Sequence, residues 1–143
     1  MIILDTNVVS ALMRGRHDPH VEAWFDRQPL ASIWITAISV FEVESGIERL
    51  ADSRRRDALR EAFRSIVDDV LQQRVLVFDH HAARAAAVFD AVRKRGGRPV
   101  ELRDVLIAGL VTARGATLAT RNRRDFEGTG IRLVDPWSTD APG

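Results

Sequence analysis

Cysteine is absent from the 143 residues, so both disulfide bonds and thiolate metal sites are excluded. Long apolar runs are absent too. None approaches the roughly 20 residues that a helix needs to cross a bilayer, so we expect no membrane association. Met1 to Asp5 contain no basic side chain before the first acid, which argues against a secretory signal peptide. We therefore expect a cytoplasmic protein.

An excess of one charge is also lacking. The 21 Lys and Arg residues face 20 Asp and Glu residues, giving a net charge of +1, so overall charge provides no argument for nucleic-acid binding. Lys94 is the only lysine. Arginine suits bidentate phosphate contacts, although a GC-rich genome explains the same bias. The length and the 45% hydrophobic content fit one globular domain over 1–143, with about 138–143 as a short C-terminal tail.

Short apolar segments alternate with amphipathic ones along the chain. The apolar segments predict strands at 2–4, 33–36, 75–78, 116–120 and 131–134. Helical spacing occurs near 20–27, 40–50, 53–72 and 82–95, and from Asp104 to a C-cap at Gly115. This alternation predicts an α/β fold of three layers, α/β/α, with a central, mostly parallel five-stranded sheet. Ligands bind at the carboxyl ends of the strands in such sheets.

Polar side chains lie where the predicted strands end. Asp5 follows the first strand, Glu42 lies in the first turn of the helix after the second, and Asp104 opens the helix before the fourth. Asn122 and Asp125 follow the fourth strand. Carboxylates gathered in one pocket repel each other, and some stay protonated unless a cation binds. Mg²⁺ prefers oxygen ligands, so this edge is a candidate magnesium site.

Each of the three acids also has a purely structural explanation. Asp5 could cap the helix that follows it, Ser39 and Glu42 match a capping box, and Asp104 could cap its own helix or interact with its dipole. Periodicity does not favour Glu42 over Glu44. Spacing alone therefore suggests a metal site without excluding helix caps.

Four segments in order resemble the successive blocks of PIN-domain proteins. They are 1–10 (MIILDTNVVS), 36–47 (TAISVFEVESGI), 104–108 (DVLIA) and 119–126 (ATRNRRDF). They most resemble the VapC toxins of bacterial toxin–antitoxin pairs, including the FitB-like branch, whose usual ending is similar to 134–137 (VDPW). The resemblance covers nearly the whole chain and implies a PIN-like fold.

The resemblance implies that Asp5, Glu42 and Asp104 bind Mg²⁺ or Mn²⁺. Related sequences often carry a further acid where this chain has Asn122, while Asp125 lies three residues later. An amide oxygen adds no charge, so the number of metal ions stays open.

Side chains around these acids have implied roles as well. Thr6 and Thr120 are placed to hydrogen-bond the acids, although positions at strand ends and turns explain them equally well. Arg121, Arg123 and Arg124 flank the same edge and are candidate contacts to an RNA backbone, or simply solvated surface.

The implied activity is that of a VapBC-type toxin, a Mg²⁺-dependent ribonuclease in which a metal-activated water attacks an RNA phosphodiester. The implied partners are a cognate VapB-like antitoxin across the active-site groove, a second copy in a homodimer, and operator DNA through the antitoxin complex. Apolar helices near 40–50 and 59–70 could serve an interface or the core. Single-stranded or loop RNA is the expected substrate.

Two other functions are alternatives to the ribonuclease. A PIN-like module without catalysis could act through its partner as a DNA-binding regulator, and the substitution at Asn122 favours it. A phosphatase of the haloacid dehalogenase type needs a second Asp where Asn7 stands, and Lys94 is unsuited as its lysine. Zinc is not indicated, because the histidines at 17, 20, 80 and 81 are better explained by helix starts and loops.

Overall fold

A parallel sheet forms the middle layer of the molecule. The computed structural model describes residues 1–14 and 18–141, and its strands are β1 (Ile2–Leu4), β2 (Ile33–Thr36), β3 (Val75–Leu76), β4 (Thr117–Ala119) and β5 (Arg132–Val134). Their order is β3-β2-β1-β4-β5, and every pairing is parallel. The first strand is therefore the central one: Ile2 lies opposite Ile33 on one side and Thr117 on the other. The predicted five-stranded sheet is confirmed.

Helices connect these strands. They are α1 (Thr6–Arg14), α2 (Pro19–Asp26), α3 (Ala37–Glu48), α4 (Arg54–Ser65), α5 (His80–Arg95) and α6 (Leu102–Arg114). Two 3-10 turns lie at Leu30–Ser32 and Arg123–Asp125. The single helix predicted over 53–72 is wrong in its second part, because α4 ends at Ser65 and a π turn follows over Ile66–Val70. Gln72 and Gln73 then adopt positive φ angles of 48° and 58°, which end the helical segment before β3.

Successive residues of each strand face two different cores. Leu4, Ile33 and Ile35 pack with helices α1 to α4, whereas Ile3 and Leu118 pack with α5 and α6 on the opposite face. This alternation follows from the two-residue period of a strand. The predicted three-layer α/β/α architecture is confirmed.

Helices α5 and α6 approach each other closely because small residues line their contact. A Cβ atom at Gly109 would lie 2.4 Å from the carbonyl oxygen of Ala82 and 2.6 Å from the Cβ of Ala86. Only glycine fits there without displacing backbone. Helix α6 ends at Gly115, whose φ of 58° confirms the predicted C-cap.

Within the described ranges, no helix is both long and apolar enough to cross a membrane. In the predicted tail, the Ala141 N–H donates to the Ser138 carbonyl at 3.2 Å, and Ala141 packs against the core beneath α1 to α4. Residues 142–143 and the histidine predicted to be structural at His17 lie outside the described residues. His80 and His81 are the first two residues of α5, and His20 is the second residue of α2, so all three lie at helix starts, as expected.

Candidate active site

Asp5 lies at the carboxyl end of the central strand and is only 4% exposed. Its Oδ1 accepts from the Thr6 N–H at 2.8 Å, and its Oδ2 accepts from the Thr120 hydroxyl at 2.7 Å and the Asn7 amide at 3.3 Å. Burial raises the pKa of Asp5, and these hydrogen bonds oppose the rise. Thr6 and Thr120 therefore fix the orientation of this carboxylate, as sequence analysis predicted.

Helix α3 brings Glu42 to the same edge, but from its second turn. The helix begins at Ala37, and the cap is Thr36, whose hydroxyl accepts from the Ser39 N–H at 3.0 Å. The predicted first-turn position of Glu42 and the capping box of Ser39 and Glu42 are therefore wrong. The chain enters the helix directly from β2, so the capping hydroxyl comes from the last strand residue and Glu42 is free for other contacts.

Those contacts join Glu42 to two other elements. The Thr6 hydroxyl lies 3.0 Å from both Glu42 Oε1 and Ser39 Oγ, and Arg103 lies 3.2 Å from Glu42 Oε2. Burial raises the pKa of Glu42, while the Thr6 hydroxyl and the Arg103 guanidinium oppose the rise. Glu44 is exposed, so the structure distinguishes two glutamates that periodicity could not.

Asp104 is the third residue of α6. The N-cap position belongs to Glu101, which makes no capping hydrogen bond with its side chain, so Asp104 is not a cap. Its place in the first turn of α6 agrees with the alternative of an interaction with the helix dipole. Burial, which has the largest effect, and the negative charges of Asp5, Asp125, Glu42 and Glu101 together raise the pKa of Asp104 from 3.8 to about 7. In the absence of a cation, Asp104 is therefore partly protonated at neutral pH.

The segment after β4 supplies the remaining predicted residues. The Asn122 N–H donates to Thr120 Oγ at 3.0 Å, and the Asn122 side-chain amide donates to Asp125 Oδ2 at 2.6 Å. The charge of Asp125 raises the pKa values of both Asp5 and Asp104. Asp125 therefore belongs to the acidic group, whereas Asn122 contacts that group as a hydrogen-bond donor to Asp125.

The three predicted arginines have different surroundings. The Arg121 guanidinium lies 5.0 Å from the ring centre of Trp137, which also donates to Asp18 at 3.2 Å. Arg123 lies 3.8 Å from Glu127. Arg124 lines a cavity together with Asp125.

Three residues of the site were not predicted from the sequence. Asn7 bonds Asp5, and its Oδ1 also accepts from the Arg121 N–H at 3.4 Å, so it joins α1 to the segment after β4. Glu101 adds negative charge near Asp104, and Arg103 partly neutralises Glu42. Two acids three residues apart at a helix start were a visible signal for Glu101, but nothing in the sequence links Arg103 to α3.

The donor chemistry of the site fits a hard divalent cation, because its carboxylates offer oxygen ligands only. Within residues 1–14 and 18–141, however, no three acidic or histidine side chains are gathered closely enough to enclose an ion. Burial is the main cause of the raised pKa values and repulsion between the acids adds to it, and a cation would offset both effects.

Comparisons with known proteins identify a family and several relatives of this chain. Residues 2–131 match the PIN domain family model. The plasmid stability protein StbB of Pseudomonas syringae pv. tomato is 36% identical over 96% of this chain and 99% of its own length. The VapC ribonuclease Y4jK of Sinorhizobium fredii is 35% identical over 96% and 98%. A chain of a solved FitAB complex bound to a DNA fragment superimposes with a TM-score of 0.89 at 28% identity, with 100% of both chains covered.

Proposed function

The chain belongs to the PIN-domain family, and from this premise we propose that it is a Mg²⁺-dependent ribonuclease acting as the toxin of a VapBC-type pair. The observation that carries the proposal is the group of acidic side chains near the carboxyl ends of β1 and β4. There Asp5, Glu42, Asp104 and Asp125 come from four separate segments, and the pKa values of the first three are raised. The VapC ribonuclease Y4jK is a relative over almost the whole chain.

The cation would be held by Asp5, Glu42 and Asp104, with Asp125 as an additional negative charge. When bound there, Mg²⁺ (or Mn²⁺) lowers the pKa of water and stabilises negative charge that develops on a phosphate. Binding of the cation would favour the loss of the Asp104 proton, because the pKa of this side chain is about 7 without metal.

Neutral side chains keep these acids oriented. Thr120 and the Thr6 backbone fix the two oxygens of Asp5, and the Thr6 hydroxyl reaches Glu42 at 3.0 Å. Such contacts reduce the reorganisation needed when a ligand binds. Arg103 limits the negative charge at the mouth of the site, because it pairs with Glu42 at 3.2 Å.

A groove beside the site is our candidate for the antitoxin. It has a volume of about 250 Å³, begins at Thr6 and Glu42, and runs between α1, α3 and α4 past the half-buried Leu50 and Leu59. An amphipathic segment of a VapB-like antitoxin would cover these apolar side chains while reaching the acids. The solved FitAB complex with DNA supports such a partner, and we propose that operator DNA is bound through the antitoxin.

We also propose a homodimer. Val43, Ile47 and Phe63 of α3 and α4 are buried in the core, whereas Phe41 on α3 is exposed. Val88 and Val92 on α5 are exposed as well, so both helices offer apolar surface to a second copy. Light scattering should give twice the chain mass, and a monomer mass at high concentration would contradict this part of the proposal.

The activity test compares matched variants on single-stranded RNA. Cleavage should require Mg²⁺ or Mn²⁺, stop with EDTA, and fall by at least about 100-fold in Asp5→Asn and Asp104→Asn. Glu42→Gln should lose activity, whereas Glu44→Gln, two residues away on the exposed side of α3, should keep it. Equal cleavage by wild type and Asp5→Asn would indicate a contaminating nuclease and contradict the proposal. If no variant cleaves RNA but the antitoxin complex binds DNA, the non-catalytic regulator is favoured.

A further inference from the structure

A polar cavity of about 260 Å³ lies beside the acidic site, between the end of α5 and the turn after β4. Its charged lining consists of Arg93, Arg98, Arg124 and Asp125, and the loop 97–100 completes it. Three guanidinium groups therefore line the same cavity as one carboxylate. Since Asp125 belongs to both, the cavity and the acidic site adjoin each other.

The end of α5 holds two of these arginines together. Gly97 has a φ of 69°, a conformation that residues with a Cβ rarely adopt. Its N–H donates to the Lys94 carbonyl at 3.0 Å, and the Arg98 N–H donates to the Arg93 carbonyl at 2.9 Å. These are the paired hydrogen bonds of a Schellman motif. The backbone of Arg98 is thereby fixed against the last turn of α5, which carries Arg93.

Arg93 is 8% exposed, which is uncommon for an arginine without an acidic partner. Its Nη2 donates to the Glu127 carbonyl, and its guanidinium lies 5.7 Å from the centre of the Phe89 ring. Across the described part of the chain, its Nε is buried without a hydrogen-bond partner, and no carboxylate pairs with it. A buried cation without a counter-ion is unfavourable, so an anion in the cavity would relieve the cost.

The other two arginines are exposed and available. Over residues 1–14 and 18–141, neither Arg98 nor Arg124 forms an ion pair or a side-chain hydrogen bond, whereas the nearby Arg123 pairs with Glu127. Arginine presents two parallel N–H groups to a phosphate, which suits it to this ligand more than lysine.

We infer that Arg93, Arg98 and Arg124 form a subsite that binds a backbone phosphate of the RNA next to the phosphodiester cleaved at the acidic site. The inference rests on the proposed ribonuclease function. A nucleic-acid strand fits because it carries a phosphate at every nucleotide, so one phosphate can reach the arginines while its neighbour lies at the acids. Asp125 lines the cavity and also belongs to the acidic site, so a ligand that reaches both places is favoured. An acidic segment of the antitoxin is the competing ligand.

The test measures RNA binding separately from cleavage. A short fluorescein-labelled single-stranded RNA is titrated with protein in EDTA, and its anisotropy gives Kd at several salt concentrations. Arg98→Ala and Arg124→Ala should each weaken binding by about five- to tenfold, the effect of losing one charge-assisted contact. In the double variant, the slope of log affinity against log salt should fall by about 0.7 for the lost phosphate contact. The control is Arg27→Ala, which removes one exposed positive charge from the segment between α2 and β2. It should change neither the affinity nor the salt slope.

Cleavage in Mg²⁺ provides the second readout. Arg98→Ala and Arg124→Ala should raise KM with little change in kcat, unlike the loss of kcat expected for Asp104→Asn. Wild-type affinity and salt slope in both arginine variants would overturn the subsite while leaving the ribonuclease intact. Unchanged RNA binding with weakened antitoxin binding would assign the cavity to the protein partner and overturn the inference. A wild-type protein that neither binds nor cleaves RNA would refute the proposed function itself.

Discussion

The metal-free protein should become more stable when Asp104 is replaced by Asn, even though the same change should abolish cleavage. The folded state raises the pKa of Asp104 from 3.8 to about 7. Above pH 7 the carboxylate is charged in both states, and its burial and its acidic neighbours disfavour the folded one. Each pH unit between the two pKa values corresponds to about 1.4 kcal/mol, which gives an upper limit of about 4 kcal/mol. Because the side chain is partly exposed, solvent screening reduces this to about 1–2 kcal/mol.

The sign of the pH dependence follows from proton linkage. Between the two pKa values the folded state binds more protons at Asp104 than the unfolded state, so wild-type stability falls as pH rises through this range. The advantage of Asp104→Asn should be nearly absent at about pH 4, grow towards pH 7 and then stay constant. Thermal unfolding in EDTA at about pH 8 should show a Tm higher by about 3–8 °C. Asp52→Asn, the same change at an exposed position, is the control.

Mg²⁺ should reverse this order. A cation that binds only the folded protein stabilises it according to its affinity, so wild type should gain Tm on titration while Asp104→Asn gains little. If Asp104→Asn is no more stable than wild type at about pH 8 without metal, burial and the acidic neighbours do not disfavour the charged Asp104 as argued. If Asp104→Asn raised Tm in EDTA by the same amount at pH 4 and at pH 8, the argument from the protonation of Asp104 would be contradicted.

Two further substitutions test the packing and the support of the site. Gly109→Ala should destabilise the fold by about 1–3 kcal/mol in urea unfolding, because the new Cβ would lie 2.4 Å from the Ala82 carbonyl oxygen. The control Gly46→Ala, where the nearest atom is 4.0 Å away, should be neutral or stabilising by up to about 1 kcal/mol, and equal effects would contradict the close-approach argument. Thr120→Val keeps the shape but removes the 2.7 Å hydrogen bond to Asp5, so kcat should fall about tenfold or more. Thr120→Ser should retain most activity, and wild-type activity in Thr120→Val would show that this hydroxyl is dispensable.

The sequence predicted the architecture well because most strand residues are buried or half-buried and read as short apolar runs. Asp5 could be placed for the same reason, since it ends such a run. The helix starts were less predictable: Thr36 and Ser39 are both good caps, and only the direct passage from β2 into α3 decides between them. The charged pattern over 53–72 contains no signal for the π turn or for the positive φ angles of Gln72 and Gln73 that follow it.

Contacts between distant segments were beyond sequence reasoning. Arg103 pairs with Glu42 because α6 and α3 meet near the carboxyl ends of the strands. Nothing in the sequence indicates that these two residues are neighbours. Arg93 appeared to be one more basic residue near the end of an amphipathic helix, yet the structure buries it beside Asp125 in the arginine-lined cavity. Burial and proximity of this kind arise from packing, which composition and periodicity do not contain.

The central position of β1 has a consequence for synthesis. The strand that carries Asp5 is made first, but it lies between β2 and β4, and the Thr120 hydroxyl that fixes Asp5 comes 115 residues later. Contacts so distant in sequence form late in folding, because a long loop must close first. A nascent chain that has not yet emerged as far as Thr120 therefore has the first acid of the site without its support. In the proposed ribonuclease, which would be made on ribosomes surrounded by RNA, this order of assembly would delay activity until translation is nearly finished.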